Sequence, residues 1–229
     1  MIITIDGSIA TGKSTIAKKL AEDIGYIYFD TGAMYRCVTY AALKNKVNID
    51  DPHELEAFLN AFQFEIKIKH GDRVYLVNKE DVTKQIRSPE VTAHVSKVSA
   101  LAKVREKLVA IQREFAVGVN AVFEGRDMGT VVFPSAQLKI YLTAKPEIRA
   151  KRRYEEYCAK FPEESKNMTV EQIMEEINKR DTYDSEREIS PLRQPEDACV
   201  IDTSYLTIDE IVLKILEYKD SIKTRIKHS

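Results

Sequence analysis

The chain has 229 residues, with 35 lysines and arginines against 36 aspartates and glutamates and a formal net charge of −1. This length predicts a single domain with elaborations, 1–229, and the charge balance argues against bulk electrostatic binding to nucleic acid or to an anionic membrane. Three cysteines without CxxC spacing indicate neither a disulfide framework nor a zinc knuckle, and no stretch of about 18 apolar residues occurs. We therefore expect a cytoplasmic protein that binds no nucleic acid and no membrane.

The first part of the chain alternates short apolar strands with helices. A β-branched run opens the chain, and apolar residues at helical spacing follow it up to Gly25, which suits the end of a helix. Asp51 and Pro52 suit the N-cap and the first position of another helix. The predicted elements here are strands at 2–5 and 26–29 and helices at 13–24, 34–43 and 52–62.

The middle of the chain changes to an alternating pattern. Apolar residues alternate with charged ones over 64–68, and a turn-like segment at 70–72 separates them from a second apolar run at 74–77. This pattern predicts an antiparallel hairpin inserted into the main domain. A helical stripe then begins after a proline and continues over 89–118.

The second half of the chain contains three further short apolar runs that predict strands, at 121–124, 138–142 and 198–201. With the first two strands they make five strand–helix units, which predict an α/β fold with a parallel sheet. Connections of this kind are right-handed, so helices cover both faces and ligands bind at the carboxyl ends of the strands.

Residues 7–14 read GSIATGKS and match the phosphate-loop pattern GxxxxGK[ST], placed between a strand and a helix as its mechanism requires. Gly7 and Gly12 allow the backbone to curl so that its N–H groups point at phosphate oxygens, and the helix adds its positive end. Lys13 is expected to contact the β- and γ-phosphates and the Ser14 hydroxyl to bind Mg²⁺. The alternative, a plain glycine-rich turn, is disfavoured by the strand–loop–helix setting.

Two segments that follow predicted strands each carry an arginine. DTGAMYR follows the second strand and EGRDMGT the third, so Arg36 and Arg126 are expected at the sheet edge that holds the phosphate loop. This placement predicts an anionic substrate. The alternatives are a helix-surface position for Arg36 and a structural ion pair with Asp127 for Arg126.

Two later helices, joined by the polar stretch 160–168, carry a third group of charged residues. Because phosphoryl transfer needs charge neutralisation and the exclusion of water, this helical pair resembles a lid. The alternatives are solvated helix faces, with pairs such as Arg152 and Glu156, and RNA binding by the basic run at 149–153, which no aromatic platform accompanies. The charged residues are Arg149, Lys151, Arg152, Arg153, Arg180, Asp181, Asp184 and Arg187.

These motifs form one ordered set along the chain. In order they are the phosphate loop, DTGAMYR, the inserted hairpin, VREKLVAIQREF, EGRDMGTVVFP and KRDTYDSEREISPL. Together they resemble the bacterial cytidylate kinase family. The resemblance implies a P-loop kinase core with a five-stranded parallel sheet in the order 2-3-1-4-5, a small antiparallel CMP-binding insert at 62–97 and a helical lid at 149–187. It also implies an enzyme that uses ATP and Mg²⁺ to phosphorylate CMP and dCMP. We expect this enzyme to be a monomer.

The resemblance further implies roles for individual residues. The ATP-binding residues would be Gly7, Ser8, Ile9, Ala10, Thr11, Gly12, Lys13, Ser14 and Thr15, with Ser14 on the metal. The CMP-binding residues would be Arg36 and Arg126 for the phosphate, Ser96, Arg105 and Asp127 for cytosine, and Arg180 and Asp184 for the sugar, together with Thr31 and Arg187. The catalytic residues would be Lys13, Arg126, Asp127, Arg152, Arg153 and Arg180, with Arg152 and Arg153 approaching the ATP phosphates. Ile9 stands where the family often has a small residue, which puts little in doubt because backbone N–H groups do the binding.

Two other functions stay open at this point. A kinase of this fold could act on another acceptor, such as UMP, AMP or a small hydroxy acid, and ADP release measured across acceptors would distinguish these. A nucleotide-dependent binding or regulatory protein without turnover is the more distant alternative. The concentration of arginines around one predicted cleft argues against it.

Overall fold

The computed structural model describes residues 1–69, 72–163, 165 and 168–226. The predicted turn residues His70 and Gly71, and Glu164, Lys166 and Asn167 of the predicted linker, lie outside this range. The chain divides into two compact units, one formed by Met1–Asp30 together with the chain from Phe115 onward, the other by Thr31–Glu114.

The helices and strands that were predicted fall close to the predicted positions, with ends shifted by at most three residues. In chain order they are β1 (Ile2–Gly7), α1 (Lys13–Ile24), β2 (Ile27–Asp30), α2 (Thr31–Lys44), α3 (Pro52–Ala61), β3 (Phe64–Lys69), β4 (Asp72–Val77), β5 (Glu80–Asp81), a 3₁₀ turn (Gln85–Arg87), α4 (Pro89–Ala100), α5 (Ala102–Phe115), β6 (Ala121–Gly125), a π-helical turn (Met128–Val132), β7 (Leu138–Thr143), α6 (Pro146–Lys160), α7 (Val170–Glu186), β8 (Cys199–Asp202) and α8 (Ile208–Ile226).

The first unit is built on a five-stranded sheet with the order β2-β6-β1-β7-β8, in which every neighbouring pair is parallel. Counted among the parallel strands alone, this is the order 2-3-1-4-5, so the predicted α/β fold is confirmed. Asp6 at the end of β1 lies in register with Gly125 of β6, and Gly7 lies in register with Leu142 of β7. The phosphate loop therefore leaves the sheet between two neighbouring strand ends.

The core of the first unit explains why its strands are continuous apolar runs. Strands β1 and β6 are buried on both faces, so their sequences need no polar alternation. Helices α1 and α8 bury apolar faces against the sheet, in a cluster that includes Ile3, Leu20, Ile140 and Ile215. Among the described residues, no helix has both the length and the apolar character needed to cross a bilayer.

Aromatic rings form a second packed feature of the first unit. Phe29 on β2 stacks on Phe115 with a centroid separation of 5.4 Å and on Phe123 of β6 at 4.6 Å. Phe123 also packs against Phe133 at 4.5 Å. This column of rings joins the end of β2 to the residue at which the chain returns to the first unit.

The sequence signals at Gly25 and Asp51 correctly predicted where two helices end and begin. Gly25 has a φ of +67° and its N–H reaches back to the last turn of α1, as expected for a glycine that ends a helix. Asp51 accepts hydrogen bonds from the N–H groups of His53 and Glu54, with Pro52 at the first helical position of α3. Both predictions are confirmed.

The second unit contains the predicted hairpin, β3 and β4, with β5 as a third antiparallel strand. The prediction did not include β5, because two exposed acidic residues carry no strand pattern. The helical stripe predicted over 89–118 is two helices, since Leu101 is extended (φ −70°, ψ 126°) and separates α4 from α5. Before this break the Ser99 hydroxyl donates to Ser96 O, a local bond that competes with continuation of the helix.

Candidate active site

Lys13, the lysine of the phosphate loop, is folded back onto the loop that carries it. Its Nζ donates to Ser8 O at 2.6 Å and to Thr11 Oγ1 at 3.4 Å, and the Thr11 hydroxyl in turn donates to Ser8 O at 3.0 Å. Burial lowers the pKa of the Lys13 amine, and the positive charge of Arg126 lowers it further. A phosphate group that met this amine would replace a backbone carbonyl as its partner.

Gly7, the first glycine of the motif, allows a close approach between the phosphate loop and β7. A Cβ built on Gly7 would lie 2.3 Å from Leu142 O, and the φ of this residue is +152°. No side chain fits there. The motif needs glycine at this position for space as well as for backbone conformation.

Glu124 lies at the end of β6, directly beside the phosphate loop. Its Oε1 accepts a hydrogen bond from Ser14 Oγ at 2.7 Å and from Tyr28 Oη at 3.3 Å. Burial raises the pKa of this carboxyl, with a further contribution from Asp30, while Lys13 opposes the shift. The sequence analysis named Ser14 alone as a candidate metal ligand and gave no role to Glu124, whose carboxylate binds the Ser14 hydroxyl. The available signal was an acid at the end of a buried strand that neighbours the phosphate-loop strand.

Asp6, at the end of β1, holds the segment that follows β6. Its two carboxylate oxygens accept from Met128 N at 2.9 Å and from Gly129 N at 2.7 Å. Burial raises the pKa of Asp6 to about 7, outweighing these two hydrogen bonds, and the negative charge of Asp127 adds to the rise. This residue was also missed. The available signal was an acidic residue at the end of an apolar strand, directly before the phosphate loop.

Four predicted CMP-binding residues come together in the first unit. Arg126 Nε donates to Asp184 Oδ2 at 3.0 Å, so the ion pair considered for Arg126 forms with Asp184 and not with the adjacent Asp127. Asp127 Oδ1 lies 3.9 Å from Arg187 Nη2, and Arg187 Nε donates to Ser190 O at 2.6 Å. Asp127 and Asp184 are both almost fully buried. The structure thus places two acids and two arginines in one group.

Arg149 and Asp181 bind the phosphate loop at Ile9. Asp181 Oδ1 accepts from the Ile9 N–H at 3.3 Å, Arg149 Nη1 donates to Ile9 O at 3.2 Å, and the two side chains form an ion pair. The sequence analysis grouped both with the lid residues but gave neither a role in the site. Arg180, next to Asp181 on α7, is half-buried.

Arg152 and Arg153, the two predicted lid arginines, have different surroundings. Arg152 donates through Nη1 to Thr203 Oγ1 at 3.1 Å and through Nη2 to Thr203 O at 2.6 Å, and Thr203 Oγ1 donates to Thr11 O at 3.0 Å. Arg152 therefore reaches the phosphate loop through one buried threonine. Arg153 forms an exposed ion pair with Glu156 at 3.0 Å. The solvated-face alternative paired Glu156 with Arg152, but the observed partner of Glu156 is Arg153.

In the second unit, Arg36 is held against α4. Its Nη1 donates to Thr92 Oγ1 at 2.9 Å and to Ile86 O at 3.4 Å, and the residue is half-buried. Thr31, at the start of α2, is almost fully buried. These hydrogen bonds hold Arg36 in place, unlike an arginine on a freely solvated helix face.

Arg105 is almost fully buried in the second unit, with 3% of its surface exposed. Its guanidinium lies over the ring of Tyr35, 5.4 Å from the centroid, and Nη1 donates to Ser99 O at 3.2 Å. Ser96 lies half-buried on α4, about one turn before Leu101, the residue that separates α4 from α5. A buried cation of this kind suits recognition of a polar or anionic ligand.

The side chains of the site that could bind a metal ion are oxygen donors. No group of three His, Cys, Asp or Glu side chains that could hold a metal ion occurs in the described ranges. The Ser14 hydroxyl and the Glu124 carboxylate are oxygen donors within hydrogen-bond distance of each other. Hard oxygen donors of this type fit Mg²⁺.

Known proteins similar to this chain identify its family. The family model for cytidylate kinase matches residues 3–221. The chain is 67% identical to a cytidylate kinase from Protochlamydia amoebophila (strain UWE25), over 98% of this chain and 99% of that protein. It is 48% identical to a cytidylate kinase from Streptococcus pneumoniae (strain 70585), over 93% and 94% of the two chains. A solved shikimate kinase from Bacteroides thetaiotaomicron, with a TM-score of 0.51 at 11% identity over 96% of this chain and 98% of that chain, shares the fold. The predicted resemblance is confirmed: the chain belongs to the cytidylate kinase family.

Proposed function

We propose that the protein transfers the γ-phosphoryl group of ATP to CMP and dCMP, with Mg²⁺, by in-line attack of the acceptor phosphate. The observation that carries this proposal is the constellation of the first unit. There a complete phosphate loop with a buried lysine lies in the same compact unit as the Arg126, Asp127, Asp184 and Arg187 group. Membership of the cytidylate kinase family supplies the acceptor.

On the ATP side, residues 7–15 would bind the phosphates through backbone N–H groups and through Lys13. The amine of Lys13 would leave Ser8 O for the β- and γ-phosphates, whose negative charge would keep it protonated. Ser14 and Glu124 would hold Mg²⁺, which would neutralise charge on the same phosphates. Ionisation of Glu124 is favoured by such a cation, which opposes the effect of burial.

On the acceptor side, Arg36 and Arg126 would bind the CMP phosphate. The ion pair with Asp184 fixes the Arg126 guanidinium at Nε, so its orientation is set before substrate binds. Arg105, Ser96 and Asp127 would read cytosine. The sugar would contact Arg180 and Asp184, with Thr31 and Arg187 completing the residues for CMP.

The chemistry requires little more than positioning and charge stabilisation. A phosphate monoester has a second pKa of about 6, so the attacking oxygen is ionised at neutral pH without a general base. Lys13, Arg126, Arg152, Arg153 and Arg180 would stabilise the charge that spreads over the transferred group. Catalysis then depends on holding ATP and CMP in line.

We also propose the organisation that this mechanism needs. The chain would act as a cytoplasmic monomer on small-molecule nucleotides, without nucleic acid. It would use 62–97 as the CMP-binding insert and 149–187 as the lid. The three free cysteines suit a reducing compartment.

The acceptor profile at saturating ATP tests the proposal. ADP release should be fast with CMP and dCMP, slow with UMP, AMP and shikimate, and abolished by EDTA. Faster turnover with another acceptor, or equal ATP hydrolysis without any acceptor, would overturn the proposed function.

A further inference from the structure

The helical pair α6–α7 contacts the phosphate loop through a carboxylate, which is an unusual partner for a loop that is proposed to bind anions. The Ile9 N–H, one of the loop's backbone donors, is taken by a carboxylate, Asp181 Oδ1, at 3.3 Å. The carbonyl of the same residue accepts from Arg149, which forms an ion pair with Asp181. Both polar backbone groups of one loop residue are therefore bound by a single ion pair.

Apolar packing holds this contact in place. The side chains of Ile9 and Ala10 pack against a small cluster formed by Ala150, Ile173 and Ile177 of α6 and α7. The Arg149 and Asp181 side chains are only 8% and 17% exposed. Because water is largely excluded, charges here interact more strongly than on the surface.

The charge of Asp181 is felt at the centre of the phosphate site. Burial and the charge of Arg126 lower the pKa of Lys13, and Asp181 is one of the negative charges that oppose this lowering. The Asp181 charge therefore acts on the amine proposed to bind the β- and γ-phosphates. ATP carries several negative charges on the groups that would enter this loop. Phosphate oxygens and the Asp181 carboxylate would therefore compete for the same positive potential.

We propose that Asp181 is a positioning residue that occupies the phosphate loop at Ile9 when no nucleotide is bound and is displaced by the triphosphate. Arg149 keeps its charge when Asp181 leaves, so the site changes from a neutral ion pair to a phosphate-attracting cation. This inference rests on the proposed function, because it takes residues 7–15 to be the ATP phosphate site.

The ion pair offers two substitutions with opposite expected effects. Asp181→Asn replaces a charged acceptor with a weaker neutral one, which should lower the Kd for ATP by at least about fivefold. Arg149→Gln leaves Asp181 without its cation, which should raise the Kd for ATP by at least about fivefold. If the pair served only to fasten α6–α7 to the loop, both substitutions would break the same contact and shift the Kd in the same direction.

Calorimetric titration without CMP measures these affinities, with ATP, ADP and inorganic tripolyphosphate as probes. The effect of Asp181→Asn should decrease from ATP to ADP, because fewer charges face the carboxylate. Glu175→Gln is the matched control, since Glu175 lies on the same helix in an exposed pair with Lys179, and it should leave every Kd within about twofold. Thermal unfolding establishes that each variant is folded, and Asp181→Ser serves as a second uncharged variant.

The result that overturns the inference is a folded uncharged variant at position 181 with an ATP Kd equal to or higher than that of the wild type. Failure of the proposed function has a different signature. In that case the wild-type protein itself would not bind ATP or would not phosphorylate CMP.

Discussion

Replacing Gly7 with alanine tests the close approach between the phosphate loop and β7. The added methyl group would lie 2.3 Å from Leu142 O and 3.2 Å from the carbonyl carbon of the same residue. Relief requires a backbone displacement of about 1 Å, because favourable contacts begin near 3.5 Å. Gly7 and Leu142 are paired in the parallel sheet, so this displacement would strain the pairing where the loop begins.

The expected cost has two parts that a control separates. Overpacking against Leu142 should cost about 1–3 kcal/mol and the unusual backbone conformation another ~1–3 kcal/mol. Gly25→Ala is the control, because Gly25 also has a positive φ, +67°, but nothing lies within 4 Å of its added Cβ. That variant should lose only about 1–2 kcal/mol.

Urea unfolding and ATP titration of the two variants provide the measurement. Gly7→Ala should lose about 1–3 kcal/mol more unfolding free energy than Gly25→Ala, which is the overpacking part alone, and its ATP Kd should rise at least about tenfold. Gly25→Ala should bind ATP as the wild type does. Equal unfolding free energies for the two variants would refute the argument from close approach.

Three further substitutions test the site. Lys13→Met should lower kcat/KM by roughly 10³-fold or more, since charge neutralisation supplies most of the catalysis, and should raise the thermal midpoint, because a buried amine is removed; near-normal turnover would contradict the role of Lys13. Asp127→Asn should lower the CMP-to-UMP ratio of kcat/KM by at least about tenfold, because an amide can donate to the uracil carbonyl where a carboxylate cannot; an unchanged ratio with reduced activity would assign Asp127 to the neighbouring arginines instead. Burial raises the pKa of Asp6 from 3.8 to about 7, so the folded protein binds the proton of this carboxyl more tightly than the unfolded chain does. The wild-type unfolding free energy should therefore fall relative to Asp6→Asn as pH rises from 4 through 7, by up to ~1.4 kcal/mol per pH unit. Urea unfolding of both proteins at pH 5 and pH 8 measures this change. If the difference in unfolding free energy between the two proteins is the same at both pH values, the raised pKa of Asp6 is wrong.

The features that the sequence predicted well depend on residues close together in the chain. The phosphate loop, the end of α1 at Gly25 and the start of α3 at Asp51 each follow from a few adjacent residues whose backbone requirements are known. The order of the parallel strands came from the resemblance to a family, since the periodicity of apolar runs contains no information about which strands are neighbours.

The features that the sequence analysis missed join residues far apart in the chain. The Glu124 bond to Ser14 spans 110 positions and the Arg149 bond to Ile9 spans 140. Such partners can be named only when the sheet order and the helix faces are known. The break at Leu101 was missed for a different reason, since the apolar stripe continues with the same period across both helices.

The stacking of Phe29 on Phe115 has a consequence for the architecture of the chain. These rings flank residues 31–114 and lie 5.4 Å apart, so the polypeptide leaves the parallel-sheet unit and returns to it at nearly the same point. A segment whose two ends meet can lengthen or shorten at little entropic cost to its host, because closure entropy grows only with the logarithm of loop length. Segments of different length could therefore be inserted between these two rings during evolution without a change in the phosphate-loop unit.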